Sequence, residues 1–286
     1  MIDLHTHTTA SDGRCTPAEL VARAAGAGVD VLSVTDHDTT AAAAAAAKAC
    51  AQARIEFVSG IEITVIAEGT DVHLLGYFID PDSAGLAAFL AEQRRRRVDR
   101  VRQMVDRLAA LGIELDADEI LRPGLDDTSK AAGRPWIARA LVGSGAVANT
   151  REAFDKYLKR GQPAFVPRVG PLPSEVIAEI HAAGGLASLA HPGLLGRDDL
   201  IPGFAAAGLD ALEAHHSKHT AEDTDRYLDL AGRHGLAVSG GSDYHGDPSH
   251  DVVGIGGVSL PRELFQSLKG RSATRRATAS GASTSS

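Results

Sequence analysis

Only two cysteines, Cys15 and Cys50, occur in 286 residues. They are too few for a disulfide framework and lack zinc-finger spacing, so a reducing compartment is expected. No apolar run is long enough to span a bilayer, and no basic stretch with an apolar segment precedes Met1-Ile2-Asp3-Leu4-His5; a cytoplasmic protein that engages no membrane is expected. Basic residues are in the minority: 29 Lys and Arg stand against 37 Asp and Glu, a formal net charge of -8. That balance leaves no electrostatic footing for duplex DNA, whose binding rests on counterion release to a basic surface. A Gly-x-Ser-x-Gly elbow and a Walker-type loop are both missing, so chemistry through a serine nucleophile or a phosphate-cradling glycine loop is not expected. Cys15 lies near Asp12 but has no activating partner that the sequence identifies, and is read as structural.

What is present is a chain 44% hydrophobic, enough to bury one large core, in which short apolar runs alternate with helical patterns. Alternation of this kind predicts an α/β fold with parallel strands and crossover helices. Val31–Val34, Phe57-Val58, Val72–Leu75, Leu186–Leu189 and Leu236–Val238 read as strands. Thr16-Pro17 followed by Glu19 reads as a helix start running to about Gly28, and Ala41–Ala47 is helical by propensity. From Leu86 the period changes: Leu86, Phe89, Leu90, Val98, Val101, Met104, Val105, Leu108 and Leu111 recur at helical spacing up to Gly112. Helices continue over Trp136–Val142 and Thr150–Arg160, with Gly161 as the stop. The expected division is a core of residues 1–79 and 166–268, a helical insert at 80–165, and a disordered tail at 269–286, where Ser, Thr, Ala and Arg show no apolar period. No internal repeat is evident, and a monomer is expected.

The chemistry sits in short fragments. His5 and His7, two apart on an apolar start, point to one face if the segment is a strand. Thr35-Asp36-His37-Asp38, Gly60-Ile61-Glu62, Val72-His73, Ala190-His191-Pro192 and Ser242-Asp243-Tyr244-His245 each fall where a strand is about to end. In αβ barrels such ends converge in space, so ligands scattered along the chain can share one site. Mixed imidazole and carboxylate donors suit manganese, iron or zinc rather than a structural thiolate site. Paired cations about 3.5 to 4 Å apart clamp a phosphate and activate water without a protein nucleophile. Asp36 and Asp38 are read either as partners that orient His37 or as helix caps.

In this order the HxH, TDHD, GxE, AHP and SDxH fragments resemble the PHP (polymerase and histidinol phosphatase) family over nearly the whole chain outside the tail. The resemblance implies a distorted (β/α)7 barrel and two or three divalent cations, Mn2+ foremost, with Fe2+, Zn2+ or Mg2+ as alternatives. The implied ligands are His5, His7, Asp12, His37, Glu62, His73, His191, Asp243 and His245, with Glu62, His191 and Asp243 carrying the catalysis. The family grouping gives one cation His5, His7, Glu62 and Asp243, a second Glu62, His73 and His191, and a third Asp12, His37 and His245.

Within the insert, Gly133-Arg134-Pro135-Trp136-Ile137-Ala138-Arg139-Ala140 resembles the PHP subgroup that removes the 3'-phosphate of nucleoside 3',5'-bisphosphates and trims short 5'-phosphorylated RNA. Trp136 departs from the histidine usual there. Arg134 is the expected phosphate grip, and Lys156, His216 and His219 are further expected substrate contacts. The basic run Arg94–Arg97 with Arg100 and Arg102 reads as a solvated face or as an attractor for a nucleotide or an RNA end. The alternatives are a histidinol-phosphate phosphatase and a metal-binding accessory module without catalysis.

Overall fold

The computed structural model describes residues 1–126, 133–248 and 251–282. It divides into two compact units, one of Met1–Ala88 with the chain from Pro171 onward, the other Phe89–Gly170. The insert thus begins later than residue 80 and ends later than 165. The physical reason is local: the Asp80 N–H donates to the Ala183 carbonyl (2.7 Å) and the Ile66 N–H to the Pro171 carbonyl (2.9 Å), which ties both junctions to the first unit.

In that unit β1 (Ile2–Asp3), β2 (Val31–Val34), β3 (Glu56–Ala67), β4 (Thr70–Tyr77), β5 (Leu186–Leu189), β6 (Ala211–His216) and β7 (Ala237–Gly241) form one sheet in sequence order. The sheet nearly closes, because the Leu4 N–H donates to the Gly240 carbonyl (3.2 Å) and Thr6 bridges Tyr244 in parallel. This is the seven-stranded α/β barrel expected, with one correction: β4 is antiparallel to both neighbours. Glu68 and Gly69 both take positive φ, 48° and 76°, and form the two-residue connection that joins β3 to β4 as a hairpin. A crossover helix has no room there. β6 was not among the predicted strands, since Glu213, His215 and His216 break its apolar run.

Helices α1 (Pro17–Gly26) and α2 (Ala43–Ala53) cover β2. Thr16 and Glu19 cap α1 reciprocally: the Glu19 N–H donates to Thr16 Oγ1 (3.3 Å) and the Thr16 N–H to Glu19 Oε2 (2.8 Å), satisfying donors that the first turn leaves open. Cys15 and Cys50 are both buried in this cluster, and burial pushes the Cys50 thiol up to about 11. The long helix α3 (Ala84–Ala109) leads into the insert, followed by α4 (Ala117–Asp126), α5 (Arg134–Gly143) and α6 (Thr150–Ala153), the last continuing as a wide turn through Leu158. Val101, Met104, Val105 and Leu108, at the spacing read from the sequence, pack with Ile137, Leu141, Leu158 and Val166 in an apolar cluster. Back in the first unit come α7 (Pro173–Ala182), α8 (Pro192–Leu195), α9 (Ile201–Ala206), α10 (Ala221–Arg233) and α11 (Arg262–Ala282).

Helix α11 corrects the expectation of a disordered tail over 269–286: its described residues are helical to Ala282. Phe265 and Leu268 are fully buried, each contributing about 1.5–3 kcal/mol. Polar partners rather than an apolar period extend the helix. Arg271 donates to the carbonyls of Asp210 (2.7 Å) and Gly235 (2.8 Å), and Arg275 to the Asp210 carboxylate (2.8 Å). None of the described helices is long and apolar enough to cross a membrane.

Candidate metal centre

Beyond β1 the extended chain keeps Asp3, His5 and His7 on one side, and all three are fully buried. Asp3 accepts from the Ser242 N–H (2.9 Å), the Ser242 hydroxyl (2.6 Å) and the Gly256 N–H (2.9 Å). Burial still pushes its carboxyl up against those donors. Strand β7 passes so close that a Cβ on Gly241 would lie 2.3 Å from the His5 nitrogen. Only glycine allows that approach.

Glu62 is the hub. Its Oε2 lies 3.2 Å from His5 Nε2, 3.3 Å from His7 Nε2 and 3.2 Å from His37 Nδ1, while Oε1 lies 2.8 Å from His73 Nδ1 and 3.1 Å from His191 Nε2. The reversed direction of β4 makes this possible, because it puts His73, opposite Thr64 in register, near the rim where the parallel strands end. Burial alone would raise the Glu62 carboxyl; the His37, His73 and His5 rings hold it well below its ordinary value. His37 goes the other way: burial, with the His7 and His73 rings, pushes it down to about 3, leaving a neutral imidazole with a lone pair to donate.

Asp243 forms the second hub, its Oδ1 3.2 Å from His7 Nε2 and 3.4 Å from His5 Nε2, its Oδ2 3.4 Å from His216 Nε2. Asp12, the solvent-facing member, lies 3.4 Å from His245 Nε2 and 3.7 Å from both His7 and His37. All nine candidate ligands read from the sequence lie in the first unit. The structure sorts eight of them, with His216, into overlapping sets: His7, Asp12, His37 and His245; His5, His216 and Asp243; His5, His7 and Glu62; His37, Glu62 and His73. His191 meets Glu62 but falls in none of these sets. In each set the candidate donor atoms lie within 4.8 Å of one another. The residues fit divalent cations on a specific ground: both ring nitrogens of His7 are buried without a hydrogen bond, a costly state unless a cation takes the lone pair of the unprotonated one.

The expected substrate contacts land elsewhere. His216 joins the Asp243 group, with a fully buried side chain. His219 corrects the sequence reading: its Nδ1 donates to the Ala214 carbonyl (2.9 Å) and its Nε2 accepts from the Gly193 N–H (3.1 Å), so its two nitrogens tie β6 to the segment that follows His191. In the other unit, Arg134 opens α5 with its guanidinium 5.8 Å from the centre of the Phe154 ring and 6.0 Å from that of Phe165. Lys156 pairs with Glu152 at 2.6 Å, one helical turn away. The arginine run is partly absorbed by the insert itself: Arg95 and Arg96 pair with Glu92, and Arg100 donates to the Val166 carbonyl (2.9 Å).

Two acidic residues do work that the sequence did not assign to them. Asp36 accepts from the Thr8 N–H (2.7 Å), the Thr8 hydroxyl (2.7 Å) and the Ser11 hydroxyl (2.6 Å); it organises the loop that carries Asp12 rather than orienting His37. Glu213, fully buried, lies 2.9 Å from His5 Nδ1 and accepts from the His191 N–H at 2.6 Å. In a regular strand Glu213 and His216 would face opposite ways. β6 carries a register shift between Glu213 and His215, and this bulge turns both residues toward the cluster. An acidic residue between Leu212 and Ala214 was the one available signal.

A PHP domain model matches residues 3–133. Over 258 residues the chain is 40% identical to a 3',5'-nucleoside bisphosphate phosphatase of Chromobacterium violaceum, covering 88% of this chain and 90% of that protein. It is 36% identical over 252 residues to the 5'-3' exoribonuclease Rnm of Escherichia coli, covering 85% and 84%. The solved structure of an amidohydrolase from Chromobacterium violaceum with bound sulfate superposes with a TM-score of 0.76 at 38% identity, over 94% of this chain and 96% of that one. The histidines and carboxylates that converge on Glu62 and Asp243 thus belong to a chain of the PHP family.

Proposed function

We propose that the protein is a metal-dependent phosphoric ester hydrolase that removes the 3'-phosphate of nucleoside 3',5'-bisphosphates, such as adenosine 3',5'-bisphosphate, in the cytoplasm and as a monomer. The products are a nucleoside 5'-monophosphate and phosphate. A water oxygen forms the new bond to phosphorus, the bond from phosphorus to the 3'-oxygen breaks, and that oxygen takes up a proton. The observation that carries this reading is the buried Glu62 carboxylate, met on both oxygens by the rings of His5, His7, His37, His73 and His191.

Two or three divalent cations, Mn2+ foremost, would be held by His5, His7, Asp12, His37, Glu62, His73, His191, Asp243 and His245, with His216 added, and would supply positive charge for the phosphoryl group and an activated water. The chain's own part is to hold these donors rigidly: Asp3, Asp36 and Gly241 fix the segments that bear them. Arg134, near the Phe154 and Phe165 rings, is the guanidinium proposed to hold the substrate's other phosphate. The similarity to an exoribonuclease supports a second activity on the same site, trimming short 5'-phosphorylated RNA.

Turnover of adenosine 3',5'-bisphosphate, a short 5'-phosphorylated RNA, histidinol phosphate and an aryl phosphate by one Mn2+-loaded preparation tests the reading. Bisphosphate is expected to lead in kcat/KM, and Arg134→Ala is expected to raise KM for it about tenfold or more, the scale of one charge-assisted contact, with little change for the aryl phosphate. Preference for histidinol phosphate, or equal effects of the substitution on both esters, would overturn it.

A further inference from the structure

Glu213 touches two ligand histidines at different points. Its Oε1 meets the His5 ring at Nδ1, 2.9 Å away, on the side opposite the Nε2 that faces Glu62 Oε2 at 3.2 Å. Its Oε2 accepts the His191 main-chain N–H at 2.6 Å, while the His191 ring reaches Glu62 Oε1 at 3.1 Å. His191 holds φ at 29°, a left-handed conformation that costs a non-glycine residue about 1–3 kcal/mol unless its surroundings fix it. The carboxylate is 0% exposed, so these two donors are its compensation for leaving water.

We propose that Glu213 is a positioning residue that couples the two cation positions on either side of Glu62. Through one oxygen it keeps the proton of His5 on Nδ1 and leaves Nε2 to ligate. Through the other it pins the strained turn that aims His191 at the other oxygen of the same carboxylate, Glu62 Oε1. A carboxylate behind a ligating imidazole fixes its tautomer and orientation; here the same carboxylate also holds the second ligand's backbone, so the two positions respond together. The set His7, Asp12, His37 and His245 contains none of His5, His191 and Glu62 and is the internal control.

The inference rests on the proposed metal site, and the test separates the two. Equilibrium dialysis and visible absorption with Co2+ are applied to the intact protein and to Glu213→Gln, whose amide must turn its NH2 toward one of the two donors. The intact chain is expected to bind two or three ions. The variant is expected to bind two of them about 10–100-fold more weakly and to keep the Asp12 position. No Co2+ on the intact chain would sink the metal site itself. Unchanged binding by the variant, or equal weakening at all positions with a lowered Tm, would sink only the coupling role. Because the variant can fail to fold, Zn2+-loaded intact protein carrying 15N-histidine gives an independent reading: His5 must ligate through Nε2 with a downfield Nδ1 proton, and ligation through Nδ1 would refute the role.

Discussion

The two units solve the burial problem in opposite ways. In the insert, the core of Val101, Met104, Leu108, Ile137, Leu141 and Leu158 is apolar, and pairs such as Lys156–Glu152 and Arg102–Asp118 stay exposed. In the barrel, Asp3, His5, His7, Glu62, Glu213, His216 and Asp243 are all buried at one end of the sheet. Apolar packing needs only volume and pattern, whereas buried charge needs a partner for every oxygen and nitrogen. The barrel end is therefore organised for binding at a cost in stability, whereas the insert's apolar cluster stabilises by packing.

Substitutions should separate the two in order of size. The largest effect on function is expected from Glu62→Gln, which neutralises the hub: activity should fall by about a thousandfold or more, the scale of losing an essential group. The Tm of the metal-free protein should stay within a few degrees, since relieving uncompensated charge offsets lost contacts. A variant with half the parent activity would break the contrast. The largest effect on stability is expected in the insert, where Leu141→Ala, at a fully buried site, should cost about 2–5 kcal/mol in denaturant melts while leaving cation stoichiometry unchanged. Loss of cations in that folded variant would show that the two regions are not separable in this way.

A smaller, pH-dependent effect sharpens the comparison within the barrel unit. Asp210 is buried but paired: it lies 2.7 Å from His181 Nε2, accepts the Ala187 N–H at 3.0 Å and pairs with Arg275 at 2.8 Å. Burial would raise its carboxyl, and these partners together hold it below the usual value. A folded-state value below the unfolded one, near about 3.9, means the contribution is fully present above that pH and is lost as pH falls through the folded value. Asp210→Asn should therefore cost about 1.5–3 kcal/mol at pH 7 and almost nothing at the acid end of the same urea series. A cost that persists in acid would assign the effect to packing instead.

Legibility in the sequence follows the same division. The insert's long helix could be read because its apolar residues repeat at a single period. The candidate ligands could be read because His5, His37, Glu62, His191 and Asp243 each follow a short apolar run, although Glu62 lies in the middle of β3 rather than at its end. Other features depend on contacts that no local pattern encodes. The reversal of β4 turns on Glu68 and Gly69, two residues with no apolar signal. The inward turn of both Glu213 and His216 needs a bulge, which alternation cannot anticipate. Helix α11 extends past Arg271 because Asp210, Gly235 and Gly184 offer acceptors far away in sequence, so its composition looked like a tail. His219 is among the expected substrate contacts, yet its two nitrogens are taken up by Ala214 and Gly193.

The central claim is that a carboxylate ringed by imidazoles gathers cations to do phosphate chemistry. Elemental analysis of the purified protein, paired with turnover of adenosine 3',5'-bisphosphate before and after chelation, addresses it in one preparation. Two or three divalent ions per chain, activity lost with their removal and regained on adding Mn2+, is the predicted result. Hydrolysis that continues at full rate with no divalent ion bound would contradict it.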